Sequence, residues 1–231
     1  MLVGNGPVTS PARQVGDDEA ISLMGAPPPF VSRGGEKLDA ALVALAVAPS
    51  GLRTLDAGAS TGGFTDCLLQ RGAAHVAAVD VGRAQLDWRL REDPRVTVLE
   101  RCNVRHLDAE AIDGKVPLAV ADLSFISLLT VAPALERCTT PDADLVLLVK
   151  PQFEAGRGRV GRRGVVRDPE VHRDVLAGVA RGLDEAGLPV VRAVASTLLG
   201  PEGNREFFFH VRRGERATDP ALLADVAGDP S

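Results

Sequence analysis

The 231 residues predict an α/β domain built on a mostly parallel, doubly wound sheet. Short apolar runs alternate with stretches of helical periodicity, and the first such run closes on an acid before breaking into a glycine-rich turn. Several later runs also end on a charged residue. In sheets of this kind ligands bind beyond the carboxyl ends of the strands, so those endings mark one functional edge.

The first 29 residues stand apart. Gly4-Asn5-Gly6-Pro7, Pro11, Gly16-Asp17-Asp18-Glu19 and Ile21-Ser22-Leu23 suggest a few short strands and turns, and Pro27-Pro28-Pro29 a stiff linker. Phe30 to Leu38 reads as a loop or strand feeding a helix over the apolar stretch Ala40 to Val47, with Lys37 at the junction. Buried strands follow at Thr54–Ala57, Val76–Asp80, Val96–Leu99, Leu118–Asp122 and Leu145–Lys150. Val190–Thr197 and Glu206–Val211 extend the sheet, the last as an antiparallel strand after the short turn Gly200-Pro201-Glu202-Gly203-Asn204. Within Phe207–Phe209 at least alternate rings should face the core.

A hydrophobic content of 45% suffices for a core without staples. Cys67, Cys102 and Cys138 cannot all pair and form no C-x-x-C, which fits a reducing cytoplasm and no cysteine metal site. His75, His106, His172 and His210 show no ligand spacing, so no metal is expected. His172-Arg173-Asp174 mimics a kinase triplet but follows Asp168-Pro169 in a helical pattern and reads as surface helix. The apolar run Ala40 to Ala48 is far shorter than the ~18 residues of a membrane span. The net charge of −5 argues against coating nucleic acid by bulk attraction, leaving local basic patches to do so.

The turn Asp56-Ala57-Gly58-Ala59-Ser60-Thr61-Gly62-Gly63-Phe64 carries the first chemistry. Its glycines let backbone bend sharply or approach a ligand, and the helix start beyond offers free N–H groups. A dinucleotide turn wants glycine where Ser60 stands, because a pyrophosphate must sit on bare backbone. The order D-x-G-x-x-x-G-G instead resembles motif I of S-adenosylmethionine-dependent methyltransferases, whose cofactor carries an amino acid and a sulfonium. Asp56, Ser60 and Thr61 suit those groups. Asp80, about twenty residues on, can accept hydrogen bonds from ribose hydroxyls. Val81, Asn103 and Val104 lie at the neighbouring strand ends and complete the expected cofactor wall with Asp122.

Lys150 closes a run of five apolar residues and Asp122 closes another. Methyl transfer to oxygen needs the hydroxyl aligned with the methyl carbon and its proton removed. Lys150 either accepts that proton when neutral or orients the hydroxyl when charged, with Asp122 holding it. The loop that follows, 156–167, carries Arg157, Arg159, Arg162, Arg163 and Arg167 on a glycine-loosened backbone suited to phosphates.

Five separated motifs now stand together: residues 31–38 (VSRGGEKL), 56–66 (DAGASTGGFTD), 122–128 (DLSFISL), 150–154 (KPQFE) and 200–207 (GPEGNREF). Together they resemble the TlyA family, also labelled hemolysin-like, over roughly residues 30 to 213. The resemblance implies a class I, Rossmann-like methyltransferase fold similar to that of FtsJ, and 2′-O-methylation of ribosomal RNA, typically on cytidine, with S-adenosylmethionine. It assigns a catalytic tetrad to Lys37, Asp122, Lys150 and Glu206. Arg33, in the first motif, is expected to contact RNA with the loop arginines. The resemblance also implies ribosomal RNA or ribosomal subunits as partners. Residues 1–29 then resemble the strand-rich end of an S4 RNA-binding domain, residues 30–213 form the methyltransferase domain, and 214–231 a C-terminal tail. A small-molecule acceptor and a membrane-active hemolysin are the competing expectations.

Overall fold

The computed structural model describes the chain apart from residues 1, 5, 9, 11, 23–26, 157 and 229–231 and the side chains of Arg162 and Pro201. Three two-residue strands, β1 (Leu2–Val3), β2 (Gly6–Pro7) and β3 (Ile21–Ser22), form a small antiparallel sheet. Then come α1 (Arg33–Leu45), β4 (Arg53–Ala57), α2 (Gly63–Gln70), β5 (His75–Val79), α3 (Trp88–Arg91) and β6 (Val96–Leu99). The second half runs β7 (Val116–Ala121), α4 (Leu128–Cys138), β8 (Thr139–Val149), α5 (Pro151–Glu154), α6 (Pro169–Glu185), β9 (Val190–Ala195), β10 (Phe207–Arg212) and α7 (Pro220–Ala224).

The main sheet has seven strands in the order β6-β5-β4-β7-β8-β10-β9. β4 through β8 pair in parallel, whereas β10 runs antiparallel between β8 and β9, as the short turn before it predicts. β4 leads outward to β5 and β6 on one side while β7 and β8 lie on the other, so the crevice between β4 and β7 is the switch point of the sheet. Alternate residues of the central strands feed two cores. Leu55, Ala119, Leu147, Phe207 and Phe209 pack beneath α4 and α6, whereas Leu118, Val146 and Phe208 pack with α1 and α2 on the opposite face.

The first helix starts earlier than the apolar run suggests: Lys37 lies inside α1, not in a loop ahead of it. Gly34 and Gly35 disfavour helix intrinsically, yet here they let two helix starts meet. A Cβ on Gly35 would sit 2.3 Å from the Phe30 ring, and one on Gly63 would sit 2.2 Å from Ser32 Oγ and 2.9 Å from the Gly35 nitrogen. Close packing therefore overrides propensity. The side chain of His172 departs from the surface reading too: it is buried on α6, where its ring packs edge-on against Phe207.

Replacing Gly63 with alanine should overpack this junction and lower stability by roughly 1–3 kcal/mol in urea unfolding. Gly178 within α6 has open space around its missing Cβ, so Gly178→Ala should raise stability by about 0.5–1 kcal/mol. Equal effects of the two substitutions would contradict the packing account.

Candidate active site

At the end of β4 the backbone turns at Gly58, with φ 91°. Its N–H donates to the Val79 carbonyl, and Asp122 N–H donates to the Ala57 carbonyl, so three strand ends are tied together. A Cβ on Gly58 would lie 2.4 Å from the Asp122 carbonyl oxygen. Only glycine fits there. Ser60 adopts φ 48°, the left-handed conformation at the place where a dinucleotide turn carries glycine, and its N–H donates to Asp80 Oδ2 at 2.8 Å. Gly82 N–H donates to the other Asp80 oxygen at 2.6 Å. Two backbone donors thus fix the carboxylate and leave each oxygen a further lone pair.

This turn opens on a cavity of about 560 Å³ lined by Gly58, Ser60, Asp80, Val81, Asn103, Val104 and Asp122, with Leu123, Ile126 and Val131 as further apolar wall. A second cavity of about 270 Å³ adjoins it. Ala59, Thr61, Gly63 and Phe64 line this one together with Lys37, Asp122, Ser124, Lys150 and Glu206. Gly58, Ser60, Asp122 and Ser124 belong to both walls, so the two spaces share a boundary.

The four residues of the expected tetrad meet as two ion pairs. Lys150 Nζ lies 2.5 Å from Asp122 Oδ1, and Lys37 Nζ donates to Glu206 Oε2 at 2.6 Å. Lys37 reaches the site because α1 begins at Arg33, and Glu206 because it immediately precedes β10. The second pair is buried, Glu206 being 2% exposed, and Glu206 Oε1 has no hydrogen-bond partner. Gly200 closes the wall beside it, where a Cβ would lie 2.1 Å from Glu206 Oε1.

Two of the expected cofactor residues line neither cavity. Asp56 is fully buried, its Oδ2 accepting from Thr65 Oγ1 at 2.6 Å. The carboxyl is in the sheet interior because β4 extends beneath the turn, so Asp56 braces α2 against β4 and does not face a ligand. Burial pushes it up to about 7; the Thr65 hydrogen bond opposes this and nearby Asp122 adds to it. Gly62 faces away as well. A Cβ there would strike Leu90 and Leu86, so it allows α3 to pack against the turn.

The arginines separate into three groups. Arg33 is exposed at the start of α1 and donates to the Leu199 carbonyl at 2.8 Å. Arg159, Arg163 and Arg167 line a third cavity of about 540 Å³, although Arg159 also pairs with Asp174 at 2.6 Å. Arg157 and the side chain of Arg162 lie outside the described residues. Asn204 ties the loop to the strand that follows Glu206, accepting from Val166 N–H and donating to the Gly164 carbonyl. His172 Nε2 donates to the Val166 carbonyl, and burial lowers the affinity of the ring for a second proton.

Phe125 and Ser124 carry no role in the sequence reading although both lie within a quoted motif. Phe125 is 90% exposed at φ 63°, with its ring 5.0 Å from that of Phe153. A lone phenylalanine among apolar neighbours gives no sign of exposure in the sequence, and only the fold reveals the ring turned outward. Among the described residues no group of three or more His, Cys, Asp or Glu could hold a metal, and no helix is long and apolar enough to cross a membrane.

The profile of the FtsJ-like methyltransferase family matches residues 30–213. A protein of Mycobacterium tuberculosis named 16S/23S rRNA (cytidine-2′-O)-methyltransferase TlyA is 55% identical over 94% of this chain and 81% of its own. This chain belongs to the TlyA family. A hemolysin-named protein of Streptococcus thermophilus superposes with a TM-score of 0.84 at 39% identity, covering 91% of this chain and 77% of that one. Another from Lactococcus lactis gives 0.80 at 38% identity, over 87% and 99% of the two chains. The TlyA-type sheet therefore carries both cavities and the paired charges on its switch-point edge.

Titration of Asp56 makes a direct check on the buried brace. Below about pH 4 both folded and unfolded chains hold its proton, and from there to about 7 only the folded chain does. Its contribution to stability therefore falls as pH rises through that window and levels off above it. Asp56→Asn should erase this fall, gaining up to about 4 kcal/mol over the parent at pH 8 relative to pH 4. Parallel stability curves from pH 4 to 8 would contradict the burial.

Proposed function

We propose that the chain transfers a methyl group from S-adenosylmethionine to the ribose 2′-hydroxyl of a cytidine in ribosomal RNA. The observation that carries this reading is the meeting of Lys37, Asp122, Lys150 and Glu206 in a cavity that shares its wall with the glycine turn. The name of the mycobacterial relative supports the acceptor class.

The residues present fit the cofactor. Gly58 and Ser60 would bound its amino-acid end, Asp80 would take the ribose hydroxyls with its spare lone pairs, and Val81, Asn103, Val104 and Ile126 would enclose the adenine. When bound, S-adenosylmethionine supplies an electrophilic methyl carbon whose bond to sulfur breaks, its electron pair returning to sulfur, as the carbon–oxygen bond forms. Lys150, as an ammonium, orients the acceptor oxygen, and the hydroxyl proton passes to the Asp122 carboxylate beside it. Lys37 and Glu206 hold the opposite wall. Alignment is the larger contribution: effective molarities reach roughly 10⁵–10⁸ M, whereas proton transfer supplies about 10²–10⁴-fold.

RNA would be held in sequence-independent fashion by Arg33 and by the loop bearing Arg157, Arg159, Arg162, Arg163 and Arg167. Phe125 offers a ring on which an unstacked base can lie, worth about 1–3 kcal/mol. The strands of residues 1–29 would extend this contact as the end of an S4-like domain, and such a substrate places the reaction in the cytoplasm.

The test is transfer of labelled methyl to ribosomal subunits and to free ribosomal RNA, followed by alkaline hydrolysis. A 2′-O-methyl group blocks cleavage at its own phosphodiester, so label should appear in alkali-resistant dinucleotides. Lys150→Ala should lower kcat by at least about 10²-fold with cofactor affinity retained. Label confined to mononucleotides, or an unchanged rate in Lys150→Ala, would refute the assignment.

A further inference from the structure

The loop joining β7 to α4 crosses the boundary of the two cavities, and Ser124 sits on it, exposed and in both walls. Lys150 Nζ donates to Ser124 Oγ at 3.0 Å while it pairs with Asp122 Oδ1 at 2.5 Å. Further along, the Phe125 ring, one residue after Ser124, rests on that of Phe153, three residues after Lys150. The segments 122–125 and 150–153 are thus joined by three contacts, two of which converge on one ammonium group.

The geometry points to Ser124 as a positioning residue for methyl transfer, acting through Lys150. This rests on the proposed role of Lys150. A lysine ammonium has three N–H donors on a flexible four-carbon stem, and one carboxylate partner leaves it free to swing about that partner. The Ser124 oxygen is a second fixed acceptor. With one N–H held by the Ser124 oxygen and the Asp122 carboxylate beside it as counter-ion, the ammonium is fixed from two sides against the cavity that holds all four charged residues. Asp122 supplies charge and Ser124 supplies direction.

The Ser124 hydroxyl makes no other hydrogen bond among the described residues. Having accepted from Lys150, it still has its own proton to donate toward an acceptor oxygen in the shared wall. Its exposure sets it apart from a core serine that satisfies itself on backbone. The helix start nearby is capped not by Ser124 but by Ser127, whose Oγ accepts from Leu129 N–H.

Misalignment of a reacting pair is expressed in kcat, not in affinity. The experiment compares Ser124→Ala, Ser124→Thr and Lys150→Ala in steady-state methylation of ribosomal RNA, with cofactor affinity and melting temperature measured alongside. In Ser124→Ala, kcat should fall about tenfold while the KM for RNA and the Kd for S-adenosylmethionine stay within about twofold and the melting temperature is unchanged. Ser124→Thr, which restores a hydroxyl at the same Cβ, should recover kcat to within about threefold of the parent. Parental kcat in Ser124→Ala beside an inactive Lys150→Ala would overturn the inference while leaving the proposed function standing. Equal losses in the alanine and threonine variants would also overturn it, by showing that shape and not the hydroxyl matters. Parental rates in both Ser124→Ala and Lys150→Ala would overturn the inference and the proposed chemistry together.

Discussion

The contact on which the rest depends is the approach of backbone to backbone at the switch point, where Gly58 lies against the Asp122 carbonyl. Hydrogen bonds from Gly58 to Val79 and from Asp122 to Ala57 lock the ends of β4, β5 and β7 at one level. That locking sets the geometry of both cavities. The turn after β4 and the residues after β7 face both cavities, and Lys150, at the end of β8, lines the smaller one. A side chain at position 58 would push the glycine turn away from the loop carrying Asp122. Orientation is the larger part of the rate advantage in methyl transfer, so this spacing matters more to function than any single hydrogen bond.

The buried charges follow a different logic. Taking Lys37 and Glu206 out of water is costly, and a buried ion pair of this kind is weak evidence for stability, whereas removing one partner leaves an uncompensated charge costing about 3–5 kcal/mol. The pair ties the start of α1 to the start of β10, elements far apart in the chain, and so fixes where the cavity wall lies. Asn204 does related work without charge. Its amide bridges the arginine loop to the segment leading into Glu206, so the loop and the charged pair share one support.

Much of the edge was legible beforehand because parallel strands buried on both faces are short, apolar and bounded, and their carboxyl-end residues are easy to name. Asp80, Asp122 and Lys150 are such residues, and Phe207–Phe209 are core residues with rings on both faces of the sheet. Lys37 and Glu206 are not: no spacing rule links residues 169 apart, and only family resemblance brings them forward. Three local errors share a cause. Gly34 and Gly35 read as a loop or strand ahead of the helix, Asp56 as a ligand-facing acid and His172 as surface helix, because propensity and motif take no account of what packs alongside. Ser124 and Phe125 carry no sequence signal for the converse reason, since exposure at a cavity rim leaves no periodic trace.

The most direct measurement is S-adenosylmethionine binding by Gly58→Ala, read by calorimetry with circular dichroism to establish that the sheet persists. The account predicts an intact fold with cofactor affinity weakened at least about tenfold, because a Cβ must displace either the turn or the Asp122 carbonyl. Parental affinity in a folded Gly58→Ala protein would contradict it, showing that the close approach at the switch point does not set the site.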